Sequence, residues 1–187
     1  MAVEKDFIWE ESRDVYRPKQ CELFREIATL ELEKPPIVRA GQALVAIKRA
    51  AYASLRLHLQ RDLKNESGGL LIGEASFDPH LNSYLLIIHE ALPAENADEQ
   101  EFSISFTTET WALLMPQMRT LNPAHTIVGS YHSHPGMGVF LSPTDLETQA
   151  GVFPYPWQTA LVVDPIANEL GFFMGEEGKP CKSWVLF

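Results

Sequence analysis

The chain has 187 residues, of which 45% are hydrophobic and 21% are charged. This length and composition predict one globular domain with a sizeable apolar core, and they exclude collagen-like, coiled-coil and wholly disordered chains. The formal net charge of −10, from 25 acidic against 15 basic residues, disfavours nucleic-acid binding, because phosphate contacts need clustered Lys and Arg.

Two features of the chain predict a cytoplasmic protein that does not enter a membrane. The acidic N-terminus, MAVEKDFIWEESRD, lacks the apolar stretch of a signal peptide, and no apolar run approaches the roughly 20 residues that cross a bilayer. The two cysteines, Cys21 and Cys181, lie far apart in the sequence. Such sparse cysteines favour reduced thiols over a disulfide framework.

Residues 1–40 differ in pattern from the rest and form an N-terminal extension. Apolar residues at helical spacing predict a helix over about residues 20–33 of this extension. Pro35 and Pro36 end it, because proline removes a backbone donor and disfavours helical geometry at the residue before it. This helix either packs against the main domain or serves as a docking arm for a partner.

Residues 41–187 form the second unit, in which helices and strands alternate. A helix is predicted over 48–63, where apolar residues share one face, and another over 107–121, after a Thr or Ser cap. Helices interleaved with short strands predict an α/β layered domain. The Gly- and Pro-rich stretch 135–156 is where a functional loop is expected. The predicted strands are 44–47, 70–72, 83–89, 126–131, 159–164, 171–174 and 183–187.

His132 and His134 stand at the end of a predicted strand, in the segment GSYHSHPGMGVFLSPTDLETQ. Because strand side chains alternate between the two faces of a sheet, residues two apart point the same way. Two imidazoles in this arrangement are able to share one metal ion. The structural alternative is a pair of core histidines.

The segment SPTD (142–145) predicts a helix start, with Ser142 as the N-cap and Asp145 answering it as in a capping box. That structural role alone would explain both residues. The glycine-containing loop after His134 is nevertheless long enough to fold the helix start over the strand end. His132, His134 and Asp145 would then form a three-ligand site with a fourth position for water. These ligands suit zinc, and they also suit non-haem iron.

A hydrolytic site of this kind also needs a carboxylate that moves protons between water and the leaving amine. Glu66, in KNESGGLLIG, is the candidate and lies just before a Gly-Gly turn. Its structural alternative is an exposed turn glutamate. Glu74, Glu90 and Glu147 are rivals for the role, and Glu66 is preferred for the resemblance that follows.

Glu66 with GGLLIG, then HSHP (132–135) and SPTD (142–145), resembles the signature of the JAMM (MPN+) zinc metalloprotease family, an upstream Glu followed by HxHPx(6)SxxD. The resemblance covers about residues 44–174. It implies a single MPN/JAMM (cytidine-deaminase-like) domain of the α/β class, with a central mixed β-sheet flanked by helices.

The resemblance also implies the roles of five residues. One Zn²⁺ per chain would be bound by His132, His134 and Asp145. Glu66 would be the general acid/base, and Ser142 would donate to the oxyanion or position the attacking water. The loop 135–141 would lie near the scissile bond, where an extended tail could bind by strand addition. Its apolar residues, Met137 and Phe140 among them, would contact substrate or belong to the core.

Members of this family cleave peptide or isopeptide bonds after the C-terminal tail of ubiquitin or a ubiquitin-like protein. The short chain resembles compact prokaryotic members, whose operons encode ubiquitin-like, E1-like and E2-like proteins and in some cases serve antiviral defence. The resemblance therefore implies a deubiquitinase-like isopeptidase that acts on a ubiquitin-like protein or its conjugates.

Two other functions remain open at this stage. A hydrolase of small molecules or sulfur-carrier adducts would use the same site. A non-catalytic MPN scaffold would need no metal site. A zinc deaminase is excluded, because its PCxxC pair is missing. The sequence leaves open the modifier, the type of bond, the role of residues 1–40 and the oligomeric state.

Overall fold

The computed structural model describes residues 16–32, 34–94, 108–118 and 120–187. In this part of the chain, helices cover both faces of a mixed sheet. The strands are β1 (Lys19–Gln20), β2 (Leu44–Ile47), β3 (Gly68–Asp78), β4 (Ser83–Pro93), β5 (Thr126–Ser133), β6 (Thr159–Asp164), β7 (Glu169–Met174), β8 (Lys179–Cys181) and β9 (Trp184–Leu186). The helices are α1 (Leu23–Thr29), α2 (Arg49–Leu59), α3 (Thr108–Met118) and α4 (Pro143–Val152).

The strand order across the sheet is β8-β7-β6-β5-β3-β4-β2-β9, and β1 pairs with the end of β3. The β3–β4 and β3–β5 pairs are antiparallel, whereas the β5–β6 and β2–β4 pairs are parallel. The sheet is therefore mixed, as predicted. The β5–β6 pair brings the carboxyl ends of two parallel strands to one edge of the sheet, where ligands commonly bind in open α/β sheets.

Helix α2 covers one face of the sheet. Its buried residues Ala51, Leu55 and Leu59 are spaced four apart, so they form one apolar stripe that packs into a core cluster with Leu71 and Val128. Residues of one strand alternate between faces, so the neighbours of Leu71 face the other way. The sheet therefore has an apolar layer on each side.

Helix α3 covers the opposite face. Leu114 packs there against Leu70 and Ile72 of β3, together with Phe153 from the end of α4. The helical expectation for 107–121 is confirmed over Thr108–Met118, and Thr107 lies outside the described residues. None of the helices in the described ranges is long and apolar enough to cross a bilayer.

The described part of the N-terminal extension packs against the sheet. Helix α1 buries Leu23 and Ile27 against Leu44 and Leu85. The expected helix over 20–33 is shorter than predicted, because Leu30 already has an extended backbone (φ −83°, ψ 132°). Pro35 and Pro36 are therefore not what ends it. The division of the chain at residues 40 and 41 stays a prediction.

Most other predicted elements appear, several of them with different lengths. Strands β2 and β6 have the predicted bounds, whereas β3 and β4 each extend to 11 residues. Helix α2 ends at Leu59 rather than at residue 63. The short strands β1 and β8 escaped the sequence analysis, because two or three residues show no periodicity. Cys21 and Cys181 are both free thiols, as expected.

Candidate active site at the carboxyl end of β5

His132 and His134 lie at the end of β5, as predicted. Their Nε2 atoms are 3.2 Å apart, and both residues are buried. The separation follows from strand geometry, because two residues i and i+2 project from the same face. Strand β6 supports this end of β5 from the parallel side, with His132 in register with Val162. The predicted pairing of the two imidazoles is therefore present.

Helix α4 brings Asp145 to the two histidines. The Asp145 Oδ1 atom is 3.4 Å from His132 Nε2, and Oδ2 is 3.4 Å from His134 Nε2. Burial raises the pKa of the Asp145 carboxyl, but the two imidazoles and Ser142 outweigh that effect, so the pKa lies far below its ordinary value. Asp145 is therefore an ionised ligand candidate.

The start of α4 is a capping box, as the sequence predicts. The Ser142 Oγ accepts a hydrogen bond from the Asp145 backbone N–H at 3.2 Å, and Asp145 Oδ2 accepts one from the Ser142 N–H at 2.7 Å. Pro143 occupies the first turn, where its missing N–H costs nothing. The Ser142 hydroxyl uses a lone pair in this cap, so its O–H remains available as a donor.

Glu66 is buried beside the same cluster. It is 5% exposed, and its Oε1 is 3.4 Å from His134 Nε2. The expected alternative, an exposed turn glutamate, is therefore wrong. Two hydrogen bonds of the next residue, Ser67, hold Glu66 beside the histidines. The Ser67 N–H donates to Ser133 Oγ at 3.0 Å, and the Ser133 N–H donates to the Ser67 carbonyl at 2.9 Å. These bonds extend the β3–β5 pairing by one residue and bring Glu66 to the histidines.

The environment of Glu66 favours a proton-carrying role. Burial raises the pKa of its carboxyl, and nearby His134 and His132 oppose that shift in part. Its Oε2 atom is buried and has no hydrogen-bond partner among the described residues. A buried oxygen without a partner is unfavourable unless a ligand or water completes its hydrogen bonding.

The rival glutamates lie elsewhere. Glu147 is exposed on α4, and Glu90 pairs in register with Ile72, in the β3–β4 ladder. Glu74 lies near the other end of β3, beside His89 and His125. Of the four candidates, the structure brings Glu66 to the His132–His134 pair.

The residues fit a zinc ion. At zinc–nitrogen distances of 2.0–2.1 Å, tetrahedral ligand atoms are about 3.3 Å apart. The Nε2 atoms of His132 and His134 are 3.2 Å apart, and each lies 3.4 Å from a different oxygen of Asp145, so the three side chains are close enough to bind one ion. Two imidazoles and one carboxylate would occupy three positions of a tetrahedral zinc ion, which leaves the fourth position for water. Two histidines with one carboxylate still leave iron as an alternative.

A residue that the sequence analysis missed, Asp164, holds the loop between His134 and Ser142. Its Oδ1 accepts the Gly136 N–H at 3.0 Å, and its Oδ2 accepts the Gly138 N–H at 2.9 Å. Burial opposes its ionisation, but these bonds and those from Ala167 and Ile166 hold its pKa at about 2. The sequence could have identified Asp164 by its position at the end of β6, because β6 is predicted to lie in the same sheet as β5.

The same loop presents apolar side chains to solvent. Met137 and Phe140 are 41% and 43% exposed, so the alternative of core residues is wrong. The Phe140 ring packs on the His134 ring with centroids 4.7 Å apart. The backbone of Gly136 and Gly138 has φ of +71° and +87°, which favours glycine. An apolar surface therefore borders the cluster.

A mixed sheet flanked by helices, with the HxH strand end, the SxxD helix start and a buried glutamate on one edge, defines a JAB/MPN domain. The chain belongs to the prokaryotic homologs of the JAB domain, since that family model matches residues 48–176, more than half of the chain. The expected fold class is thereby confirmed.

Curated relatives and one solved structure agree with this assignment. The chain is 31% identical over 124 residues to COP9 signalosome complex subunit 5 from Caenorhabditis elegans, covering 65% of this chain and 32% of the relative. It is 39% identical over 59 residues to the 26S proteasome regulatory subunit rpn11 of Schizosaccharomyces pombe, covering 31% of this chain and 19% of that protein. The chain thus spans a third or less of these relatives.

The fold is similar to the solution structure of protein DSY2949 from Desulfitobacterium hafniense. The TM-score is 0.58 at 19% identity, and the match covers 76% of this chain and 92% of the other. At this identity the likeness shows the fold alone.

Proposed function

We propose that this protein is a zinc-dependent peptidase or isopeptidase that releases a ubiquitin-like modifier by cutting after its C-terminal tail. The observation that carries the proposal is the buried Glu66 carboxylate, 3.4 Å from His134 and beside the His132–His134–Asp145 cluster. A scaffold has no need of a buried acid whose second oxygen lacks a partner. The resemblance to JAMM metalloproteases supports the same conclusion.

The roles of the residues follow from their positions. His132, His134 and Asp145 would hold zinc, which when bound polarises the scissile carbonyl and lowers the pKa of water. Glu66 would take the proton of the attacking water on its unpartnered Oε2 and pass it to the leaving amine. Its raised pKa suits both steps, because an efficient proton shuttle has a pKa nearer to the working pH.

Ser142 would stabilise the charge that develops on the carbonyl oxygen. Its O–H is free to donate, because the helix cap uses only a lone pair. Ser142 lies at the N-terminus of α4, where the helix dipole also stabilises a nearby negative charge. Ser142 therefore serves the helix and the reaction through one oxygen.

The substrate class is inferred from the surface around the cluster. Exposed Met137 and Phe140 border the site and would contact the tail that precedes the scissile bond. Several of the matched relatives carry the names of signalosome or proteasome subunits, which supports a protein conjugate over a small molecule. A small-molecule or sulfur-carrier hydrolase remains the second candidate, since the same residues would serve it. E1-like and E2-like partners from a conjugation operon would supply the conjugates.

The test is cleavage of a linear ubiquitin-like fusion and of an isopeptide-linked conjugate, with and without a zinc chelator. Glu66→Gln should lose activity by about 100- to 10,000-fold, the range for a lost general acid/base, and it should still bind zinc. Glu147→Gln is the matched control, because that glutamate is exposed on α4, and it should keep full activity.

Three results would contradict the proposal. They are equal cleavage with and without chelator, full activity in Glu66→Gln, or no cleavage of any ubiquitin-like substrate by zinc-loaded protein. Faster hydrolysis of dipeptides than of folded carriers would instead select the small-molecule candidate.

A further inference from the structure

A second group of metal-binding side chains lies at the other end of β5. It consists of Glu74 from β3, His89 from β4 and His125, which directly precedes β5. Their potential ligand atoms all lie within 4.8 Å of one another. Glu74 Oε1 is 3.2 Å from His89 Nε2 and 3.9 Å from His125 Nε2. We call these three residues the β-bulge cluster.

Two irregularities in the sheet form this cluster. Between Ile72 and Gly73 of β3, the partner residues on β4 change from Glu90 to Ile88, so His89 is an extra residue there. One step earlier along β3, the partners on β5 change from Gly129 to Ile127, which leaves an extra residue on that side as well. Bulges re-aim side chains and increase the local twist. The two bulges thus lie beside the place where the three side chains meet.

The two imidazoles are held without full hydrogen bonding. Their rings are stacked, with centroids 4.3 Å apart and planes 9° from parallel. The side chains of His89 and His125 are only 16% and 9% accessible. Both ring nitrogens of His89 and the Nδ1 atom of His125 are buried and have no hydrogen-bond partner within the described ranges. Shielded polar atoms of this kind are costly unless a ligand or water satisfies them.

Glu74 connects the cluster to solvent. Its side chain is 30% accessible, and Lys19 Nζ lies 3.3 Å from Oε2. Oε1 is the oxygen that faces the histidines, so the ion pair with Lys19 leaves a ligand atom directed at them. A metal would reach the cluster from this exposed side, and water would complete its coordination.

The cluster is separate from the active site. His125 directly precedes β5 and His132 lies near its end, so seven residues of largely extended chain place them about 20 Å apart. No residue of the β-bulge cluster takes part in the hydrolytic mechanism described above.

We propose that Glu74, His89 and His125 form a second metal site, which binds a divalent transition metal such as zinc. Two imidazoles and a carboxylate are the ligand types that such metals prefer. The bound ion ties β3, β4 and the start of β5 together at their shared bulges. Its role is structural, and the inference does not depend on the proposed hydrolysis.

The experiment measures Zn²⁺ bound to protein whose catalytic cluster is disabled by His134→Ala. After removal of metal with a chelator, titration with zinc chloride should still show one tight equivalent per chain. Adding Glu74→Gln or His125→Ala should weaken that binding by at least about 100-fold, since the loss of a supporting contact alone costs 10- to 100-fold. Adding His80→Ala should change nothing, because His80 is exposed on a turn away from the cluster.

A folding defect in His125→Ala would not obscure the result, because Glu74→Gln keeps the shape of a partly exposed side chain. Far-UV circular dichroism establishes that each variant is folded. Zinc should raise the Tm of the His134→Ala protein and not that of His134→Ala with Glu74→Gln. The proposal is overturned if His134→Ala protein binds no zinc, or if the added Glu74→Gln leaves binding and the zinc-dependent rise in Tm unchanged.

Discussion

The two ends of β5 carry the same three types of side chain in different surroundings. Each end has two histidines and one carboxylate within 4.8 Å of one another. At the carboxyl end the carboxylate is 9% accessible and contacts both imidazoles at 3.4 Å. At the amino end the carboxylate is 30% accessible, and its distances to the imidazoles are 3.2 and 3.9 Å.

The neighbours of each cluster decide what it is able to do. Glu66 adds a buried carboxylate with a raised pKa to the first cluster, and Ser142 adds a hydroxyl group whose oxygen accepts the Asp145 N–H. In the second cluster, Lys19 lies beside the glutamate. Lys19 is a cation and provides no base. Ligand type alone therefore does not make a catalytic site, because hydrolysis also needs a proton carrier and a donor for the developing charge.

The largest expected effect is that of Asp145→Asn. The variant keeps the size of the side chain but removes the charge that pairs with His132 and His134. Hydrolysis should fall by at least about 1,000-fold, because the metal contributes several kcal/mol to the transition state. Steady-state kinetics with zinc content measured in parallel checks this. Near-normal activity would show that Asp145 is not needed for hydrolysis, and the proposed difference between the two clusters would then be wrong.

Ser142 is expected to show the next largest effect. Ser142→Ala should lower kcat by about 100-fold through the lost donor and destabilise the protein by about 1 kcal/mol through the lost cap. Ser142→Gly separates the two roles, because glycine at an N-cap costs only a few tenths of a kcal/mol. Kinetics and thermal unfolding of both variants check this. If Ser142→Gly is fully active, Ser142 only caps the helix.

Asp164→Asn tests the support of the loop beside the first cluster. It should lower the free energy of unfolding by about 2 kcal/mol through weakened charged hydrogen bonds, and lower kcat by about tenfold through a displaced loop. Asp78→Asn is the matched control, because Asp78 accepts three backbone N–H groups at the far end of β3. It should lose stability and keep kcat. Equal kcat losses in both variants would show that Asp164 acts only through global stability.

The lowered pKa of Asp164 also predicts how the stability of the protein depends on pH. Its pKa is about 2 in the folded protein, below the ordinary 3.8, so the unfolded chain binds the proton more readily. The contribution of ionised Asp164 is therefore complete above about pH 4 and is lost as the pH falls towards 2. Urea unfolding at several pH values should show a smaller acid-dependent loss in Asp164→Asn than in the unchanged protein.

The smallest expected effect is that of Glu74→Gln on hydrolysis. Sites this far apart are usually independent within about 0.5 kcal/mol, so kcat/KM should change by no more than about twofold. The same substitution should abolish the zinc-dependent rise in Tm at the second cluster. A large loss of kcat/KM would mean that the two ends of β5 are coupled.

Local spacing was enough to predict two parts of the first cluster. The HxH pair follows from alternation along one strand, and the capping box at Ser142 follows from preferences within one helical turn. The bounds of β2 and β6 were predicted for the same reason, since each is one short run rich in apolar residues. Glu66 was chosen through the family resemblance, because its own neighbours equally suit an exposed turn.

The helix in residues 1–40 shows where local patterns were insufficient. Its apolar spacing continues to Leu30, yet the helix ends at Thr29. Its first residue is determined by a long-range contact, because the Leu23 N–H donates to the Asp78 carboxylate at 2.8 Å. Tertiary contacts of this kind override propensity at helix ends.

The sequence by itself determined the apolar periodicities, the start of α4 and the pairing of His132 with His134 at the end of β5, because these depend on backbone geometry within a few residues. Tertiary structure alone decided that Glu66 is buried, that Asp164 holds the loop between His134 and Ser142, and that Glu74 meets His89 and His125. Those outcomes depend on the register of neighbouring strands, and a single bulge changes which residues of distant segments face each other.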